Sequence, residues 1–210
     1  MRYYILKATP MNLLFYSAIG RQGKTTHAIG YAQYKGTKLY TNDVQNATKE
    51  LYGAMFKKGD FVEIGVGEEI AIDDDDSITF DFGGYIDSRL VDVISYVDAC
   101  VVPISYQSKS EYIPAVRTIN ALAEHNKNIV ILINNTATKL IPEVKEALEE
   151  TFPDYPIFVV NSSRYISRLA NYQKTLFDLL DAGDGLEKHR IKETLIPQIK
   201  AFYDHLDNIL

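Results

Sequence analysis

The segment that most constrains this chain reads Ala18-Ile19-Gly20-Arg21-Gln22-Gly23-Lys24-Thr25-Thr26. An apolar run, Asn12–Ser17, precedes it and predicts a strand; an amphipathic stretch from Lys24 to about Tyr34 follows and predicts a helix. A glycine turn in that setting aims backbone N–H groups inward, and the helix N-terminus adds unpaired donors and the positive end of its dipole. Phosphate oxygens suit such a turn. In that reading Lys24 reaches the β- and γ-phosphates and the Thr25 hydroxyl ligates Mg²⁺. The strict pattern, GxxxxGK followed by Ser or Thr, is broken by Ala18 at its first glycine. The plainer alternative is a glycine-rich β–α turn carrying a solvated lysine.

The rest of the chain repeats the alternation. Strands are predicted at Lys38–Thr41, Ile78–Phe82, Ala99–Ile104, Asn128–Ile133 and Pro156–Val160, with a strand pair or hairpin over Phe61–Ile72. Helical patterns lie near Asp87–Val97, Tyr112–His125 and Pro142–Thr151. Near-continuous apolar strands alternating with helices imply an α/β fold: a mostly parallel, twisted sheet with helices on both faces. The segment from about 164 to 210 is expected to be a helical tail. Ile191, Leu195, Ile199, Phe202, Leu206 and Ile209 form one apolar stripe there, with a kink or two abutting helices at Pro197. No repeat, linker or boundary interrupts the chain, so residues 1–210 are read as one domain with that helical segment attached.

Two further segments fit a phosphate site. Asp81 ends the strand Ile78–Phe82 and is followed by Gly83 and Gly84. A carboxylate at the carboxyl end of a parallel strand faces the ligand crevice, where it can hold Mg²⁺ through a water. Gly84 would offer its N–H to the γ-phosphate; the alternative is a simple turn with Asp81 as a helix cap. After the second strand, Asp43 either orients an attacking water or, with Asn42, caps the helix that follows.

Composition narrows the classes. The chain has 210 residues, 46% hydrophobic and 24% charged, in the range of packed globular proteins, with a net charge of −6. That acidity argues against a general nucleic-acid binder and leaves only local basic patches. The lone Cys100 excludes an internal disulfide and CxxC metal sites. No apolar run of about 18 residues is present and the start lacks a signal-peptide pattern, so a cytoplasmic location without membrane contact is expected. His27, His125, His189 and His205 have no metal-ligand spacing, and Asp73–Asp76 reads as a solvated turn before a strand.

Together these segments resemble the ParA/MinD family of deviant-Walker P-loop ATPases, nearest to the partition ParA type. The family loop KGGxGKT is matched by Ile19–Thr25, its DxDPQ by Thr41-Asn42-Asp43-Val44-Gln45, its DxxG by Asp81-Phe82-Gly83-Gly84, and an adenine-contacting Asn at a strand end by Asn134. The resemblance implies an ATP-dependent dimer switch with Mg²⁺, in which two subunits sandwich two nucleotides and a partner stimulates hydrolysis. In partition systems the dimer binds DNA without sequence preference and a ParB-like centromere-binding protein releases it. The implied nucleotide-binding residues are Gly20, Arg21, Gln22, Gly23, Lys24, Thr25, Thr26, Gly84 and Asn134. Thr25 and Asp81 are implied for the metal, with Asp81 acting through water, and Lys24, Asp43 and Arg21 for catalysis.

Three departures stand out. Ile19 occupies the place of the signature lysine that reaches across the dimer; Arg21, replacing a family glycine, is the nearest cation to substitute for it, or else a solvated loop arginine. Slow hydrolysis follows from Ile19. Thr41 replaces the first Asp of DxDPQ. For DNA, the best patch is Lys188, His189, Arg190 and Lys192 with Arg164, Arg168 and Lys174, interleaved with Asp178, Asp181, Asp184 and Glu187, so an ordinary solvated face reads equally well. A guanine-reading NKxD is missing at Asn134–Ala137, which favours ATP over GTP. The acidic last helix does not suit a membrane anchor of the MinD type. Competing activities are a small-molecule ligase of the dethiobiotin synthetase type and an ATP-gated positioning scaffold that scarcely hydrolyses.

Overall fold

The computed structural model describes residues 11–44, 48–73, 75–84, 88–163, 165–166, 169, 173–175, 177–178 and 185–209. Seven strands form one sheet in which every pairing is parallel: β1 (Leu13–Ser17), β2 (Lys38–Thr41), β3 (Phe61–Glu63), β4 (Ile78–Gly83), β5 (Ala99–Ile104), β6 (Ile129–Asn134) and β7 (Ile157–Val160), in the order β3-β2-β4-β1-β5-β6-β7. The helices are α1 (Lys24–Lys35), α2 (Thr48–Tyr52), α3 (Ser88–Tyr96), α4 (Lys109–Ala123), α5 (Ile141–Thr151), α6 (Gly185–Arg190) and α7 (Ile196–Leu206).

Parallel strands need a crossover for every connection, and the crossovers cover both faces. The strand side chains show this by their period of two. Leu13 and Phe15 of β1 join a buried cluster with α1 and α7, while Leu14 and Tyr16 join the opposite cluster with α3, α4 and α5. On β6, Val130 and Leu132 face the first layer; Ile129, Ile131 and Ile133 face the second. Both faces are apolar, which is why the strands read as unbroken hydrophobic runs.

The chain leaves β1 through α1 on one face toward β2 and leaves β4 through α3 on the other face toward β5, so a crevice opens at the carboxyl end of β1. The β1–β5 ladder ends at Phe15–Val101. Pro103 has no N–H with which to extend it, and the loop after β1 lies above that gap.

Two expectations are corrected. Residues 61–72 hold one short strand and no hairpin: after β3 the chain passes Gly65 and Gly67 and runs irregularly to Ile72, with Ile70 and Ile72 packed on the core. The tail is helical in part: Ile166 lies in a 3₁₀ turn, Leu169 is helical and helix runs again from Gly185, while Gln173–Thr175, Phe177 and Asp178 are not helical. Beyond α6 the backbone makes a π-turn at Ile191–Leu195 and enters α7 with Pro197 in its first turn. The widened turn accommodates a proline that has no N–H for the α-ladder.

The predicted stripe of α7 is buried at Ile191, Leu195, Ile199, Phe202 and Leu206, with Ile209 packed beside it. Phe202 meets Phe15 and His27 edge-on and Phe158 at a tilt. Tyr31 of α1 donates a 3.0 Å hydrogen bond to Asp207, and Lys35 forms a 2.7 Å ion pair with the same carboxylate. The C-terminal helix is therefore strapped along the helix that leaves the glycine loop. Phe202→Ala is expected to lower unfolding free energy by about 3–5 kcal/mol, read by urea denaturation, because a fully buried ring is lost from a rigid junction.

Candidate functional site

The loop Ala18–Gly23 caps β1 and turns directly into α1. Gly23 has φ +84, and a Cβ there would stand 2.5 Å from Asn134 Oδ1, so glycine is required by both conformation and space. From beneath, Asn134 Nδ2 donates to Gln22 O at 2.9 Å. The Gln22 side chain is buried: its Nε2 donates to Gly20 O at 3.1 Å and its Oε1 accepts from Ser105 N–H at 2.8 Å. The ends of β5 and β6 thereby hold the loop open. Arg21 is exposed with φ +62, a left-handed position that strains a non-glycine residue by about 1 kcal/mol.

A cavity of about 510 Å³ lies over this loop, a size suited to a nucleotide-sized ligand. Gly20, Arg21, Gln22, Gly23, Lys24, Thr25, Thr26, His27, Asp43 and Asn134 line it on the loop side. The opposite wall comes from Asn135 and from the end of β7, where Val160 and Ile166 supply apolar surface and Asn161, Ser162 and Ser163 polar groups. That second wall went unread in the sequence. Its signal was available: a polar cluster directly after a buried parallel strand faces the crevice.

Lys24 is largely buried. Its Nζ donates to Ile19 O at 3.4 Å, and its stem crosses Gly83 so closely that a Cβ there would lie 2.6 Å from Lys24 Cε. Burial lowers its pKa, while Asp81 and Asp43 pull it back up. Ile19 is half-buried and places no charge in the site. Asp81 sits below the loop, 1% exposed, in hydrogen bonds with Thr25 and with Thr41, whose hydroxyl donates at 3.3 Å. Burial pushes the Asp81 carboxyl up to about 6, against the opposing pull of Thr25, Lys24 and Thr41. Asp43 lines the cavity; its N–H donates to Thr41 Oγ1 at 3.1 Å and its carboxylate accepts from the Thr48 hydroxyl at 3.4 Å. Thr41 thus bridges the two carboxylate segments where the resemblance leads one to expect a third acid.

Gly84 stands apart from the cavity lining, exposed, with its carbonyl accepting from the Tyr16 hydroxyl at 3.0 Å. Asn134 borders the cavity but commits its amide donor to the loop. His27 is buried, its Nε2 has no partner among the described residues, and burial brings its pKa down to about 4 against a hydrogen bond with Asn134. Lys188, His189, Arg190, Lys192 and Lys174 are exposed. Arg164, Arg168, Asp181 and Asp184 lie outside the described residues, as does Gln45. The Asp73–Asp76 segment forms a turn, with Asp76 paired to Lys38; Asp74 lies outside the described residues. Among the described residues no cluster of three or more metal-ligating side chains is present.

The residues fit a bound cation. An isolated buried carboxylate with a neighbouring threonine hydroxyl is a hard-oxygen donor set that gains by neutralisation. Without a cation, ionised Asp81 weakens the fold. Its contribution is most favourable below the ordinary carboxylate value of 3.8 and is lost as pH rises through about 6, corresponding to roughly 3 kcal/mol. His27 acts oppositely, destabilising as pH falls from 6.5 toward about 4. Asp81→Asn removes only the first effect. The metal-free variant is therefore expected to gain stability over the parent progressively from pH 4 to pH 6.5 and by a constant amount above, measured by urea titrations across that range.

No sequence-family model matches the chain and no curated protein matches it. Solved structures do. Apo McdA of Cyanothece superposes with a TM-score of 0.64 at 13% identity, covering 95% of this chain and 99% of that one. MinD in a MinC:MinD cell division complex of Aquifex aeolicus gives 0.64 at 15% identity, over 92% and 96% of the two chains. A plasmid partition protein of Borrelia burgdorferi bound to AMPPNP gives 0.58 at 14% identity, over 95% and 98%. The chain has the fold of the MinD/ParA P-loop NTPases.

Proposed function

We propose that this chain is a Mg²⁺-dependent ATPase of the ParA/MinD type that positions or partitions cargo. The observation that carries the reading is the convergence of Lys24, Thr25 and Asp43 on one loop-floored cavity at the carboxyl ends of β1 and β2, with Asp81 buried behind it in a hydrogen bond with Thr25. Structural neighbours solved with ATP and with AMPPNP support nucleotide binding. The backbone of Gly20–Gly23 and the α1 N-terminus take the phosphates, with Thr26 on the first turn of α1 and Gly84 N–H approaching the γ-phosphate. Lys24 leaves Ile19 O for the β- and γ-phosphates. Mg²⁺, held by the Thr25 hydroxyl and by Asp81 through a water, would neutralise charge on the transferring phosphoryl group. Asp43 orients the attacking water. Val160 and Ile166 flank the base, with Asn134 under its loop-side edge.

ATP brings two chains together as a homodimer, and Arg21 reaches toward the partner's nucleotide in place of the lysine absent at Ile19. The strained Arg21 backbone at the cavity mouth supports this role, because strain at a ligand-facing loop persists where function requires it. The dimer binds DNA without sequence preference through Lys188, His189, Arg190 and Lys192, with Lys174, Arg164 and Arg168 in the same patch. A ParB-like centromere-binding partner stimulates turnover and release, and the complex works in the cytoplasm on plasmid or chromosome cargo; the MinC:MinD complex shows a protein of this fold docked to a partner. No helix among the described residues is long and apolar enough to cross a membrane.

One observation favours a slower variant of the same device. Ile19 offers only its carbonyl to the site, so hydrolysis lacks the cation that can be worth about 10³–10⁵ in rate when supplied in trans. An ATP-gated scaffold with little turnover is the second reading. Lys24→Ala is expected to abolish calorimetric binding of ATP with Mg²⁺; retained binding overturns the site. Arg21→Ala is expected to lower turnover and ATP-dependent dimerisation while leaving ADP binding intact, and unchanged turnover would remove Arg21 from the mechanism. DNA binding is expected only with ATP, with affinity falling by about 10-fold or more between low and physiological salt. Binding that ignores salt, or none with ATP and Mg²⁺, counts against the patch.

A further inference from the structure

The last backbone pair between β2 and β4 is Thr41–Asp81. Beyond it the two chains part toward different tasks, one toward Asp43 and the other toward Gly84. Asn42 keeps them joined. Its own N–H donates to Asp81 O at 3.4 Å. Its side-chain Oδ1 accepts from Gly83 N–H at 3.0 Å, and its Nδ2 donates to Gly83 O at 3.2 Å. A carboxamide presenting one acceptor and one donor to a single residue's N–H and C=O copies the edge of a neighbouring strand. The side chain thus extends the ladder by one residue after the backbone has diverged.

Contacts from three segments meet at Gly83 and Gly84. Asn42 takes both backbone polar groups of Gly83, Lys24 crosses the Gly83 α-carbon, and the next residue is held by Tyr16 through Gly84 O. Movement of Lys24 toward a phosphate therefore acts on the residue that Asn42 grips. Asp43 follows Asn42 directly and lines the cavity.

We propose that Asn42 is a positioning residue that couples the Asp43 segment to the Asp81–Gly84 segment, so that nucleotide state, registered beneath Lys24 at Gly83, sets where Asp43 stands. The inference rests on the ATPase reading above and adds the means by which its two nucleotide-facing segments act as one. A short polar clasp suits this task. It holds the segments in register at rest, yet two hydrogen bonds to one half-buried residue at the end of β4 can be exchanged when the site rearranges. Asparagine alone among short side chains supplies both halves: alanine supplies neither, and aspartate keeps the acceptor but sets a carboxylate oxygen against Gly83 O.

The test uses the full chain with Mg²⁺ and either ADP or AMPPNP, combining hydrogen-exchange mass spectrometry with steady-state turnover of ATP. In the parent, AMPPNP is expected to slow exchange in both the 41–44 and 81–84 segments. In Asn42→Ala, residues 81–84 still respond while residues 41–44 do not, kcat falls about tenfold or more, and ADP affinity stays within about twofold. Asn42→Asp, which preserves size and one hydrogen bond, reads the same direction if the alanine variant fails to fold. Turnover within twofold of the parent, equal protection of both segments in the variant, or an ADP affinity that falls as far as turnover would each overturn the coupling. A parent chain that ignores AMPPNP altogether overturns the ATPase reading and the coupling with it. A parent that responds, with both variants responding identically, overturns the coupling alone.

Discussion

Gly23 leaves room for the Asn134 amide, and most of the site follows from that contact. Asn134 ends β6 and donates to Gln22 O; Ser105 follows β5 and its N–H donates to the Gln22 side chain, which in turn donates to Gly20 O. The Gly20 and Gln22 carbonyls are thereby occupied from within the protein. Any side chain at Gly23 would push Asn134 aside and remove the brace. The loop is consequently not a self-standing motif. It is a turn whose shape is imposed by two neighbouring strand ends, and those ends are aligned only because every strand in the sheet is parallel.

Electrostatics places the second constraint. Lys24 and Asp81 are both withdrawn from water, and each is pushed toward its neutral form by burial while the other pulls it back. Such a buried pair is costly unless further charge is shared with it. Thr41 moderates that cost. A carboxylate at this position would add like charge beside Asp81; a hydroxyl donates to Asp81 and accepts from Asp43 N–H instead. The loss of one acid and of the lysine at Ile19 point the same way, toward a site with fewer fixed charges than the family pattern carries.

The C-terminal helix bears on the same loop from the far side. α7 packs Phe202 and Tyr203 against α1 and adds polar ties from Asp207 to Tyr31 and Lys35. Because α1 begins at Lys24, displacement of α7 would be felt at the loop end of a twelve-residue helix. The basic groups Lys188, His189, Arg190 and Lys192 lie on the same continuous C-terminal stretch, before the π-turn and within it. A surface there and the nucleotide loop are thus mechanically adjacent.

The apolar runs at Leu13–Ser17, Ala99–Ile104 and Ile129–Asn134 were legible because strands buried on both faces have no polar alternation to hide them. The glycine turn was legible because φ > 0 and close approach demand glycine, and Lys24 follows at the helix start. The early onset of α4 was missed although Ser108 and Glu111 form a capping box, a local signal present in the chain. The false hairpin at Phe61–Ile72 had no such remedy: apolar residues between glycines look alike whether they join a ladder or pad a core. Local sequence by itself determined where most strands and the glycine turn fall along the chain, since those positions are decided by neighbours in sequence; the shape of the turn was not so decided. Only tertiary structure decided that Asn134 braces the loop, that the end of β7 walls the cavity, and that Asn42 clasps Gly83. Those contacts join residues from 41 to more than 100 positions apart, and their geometry exists only once the sheet has set its strand order.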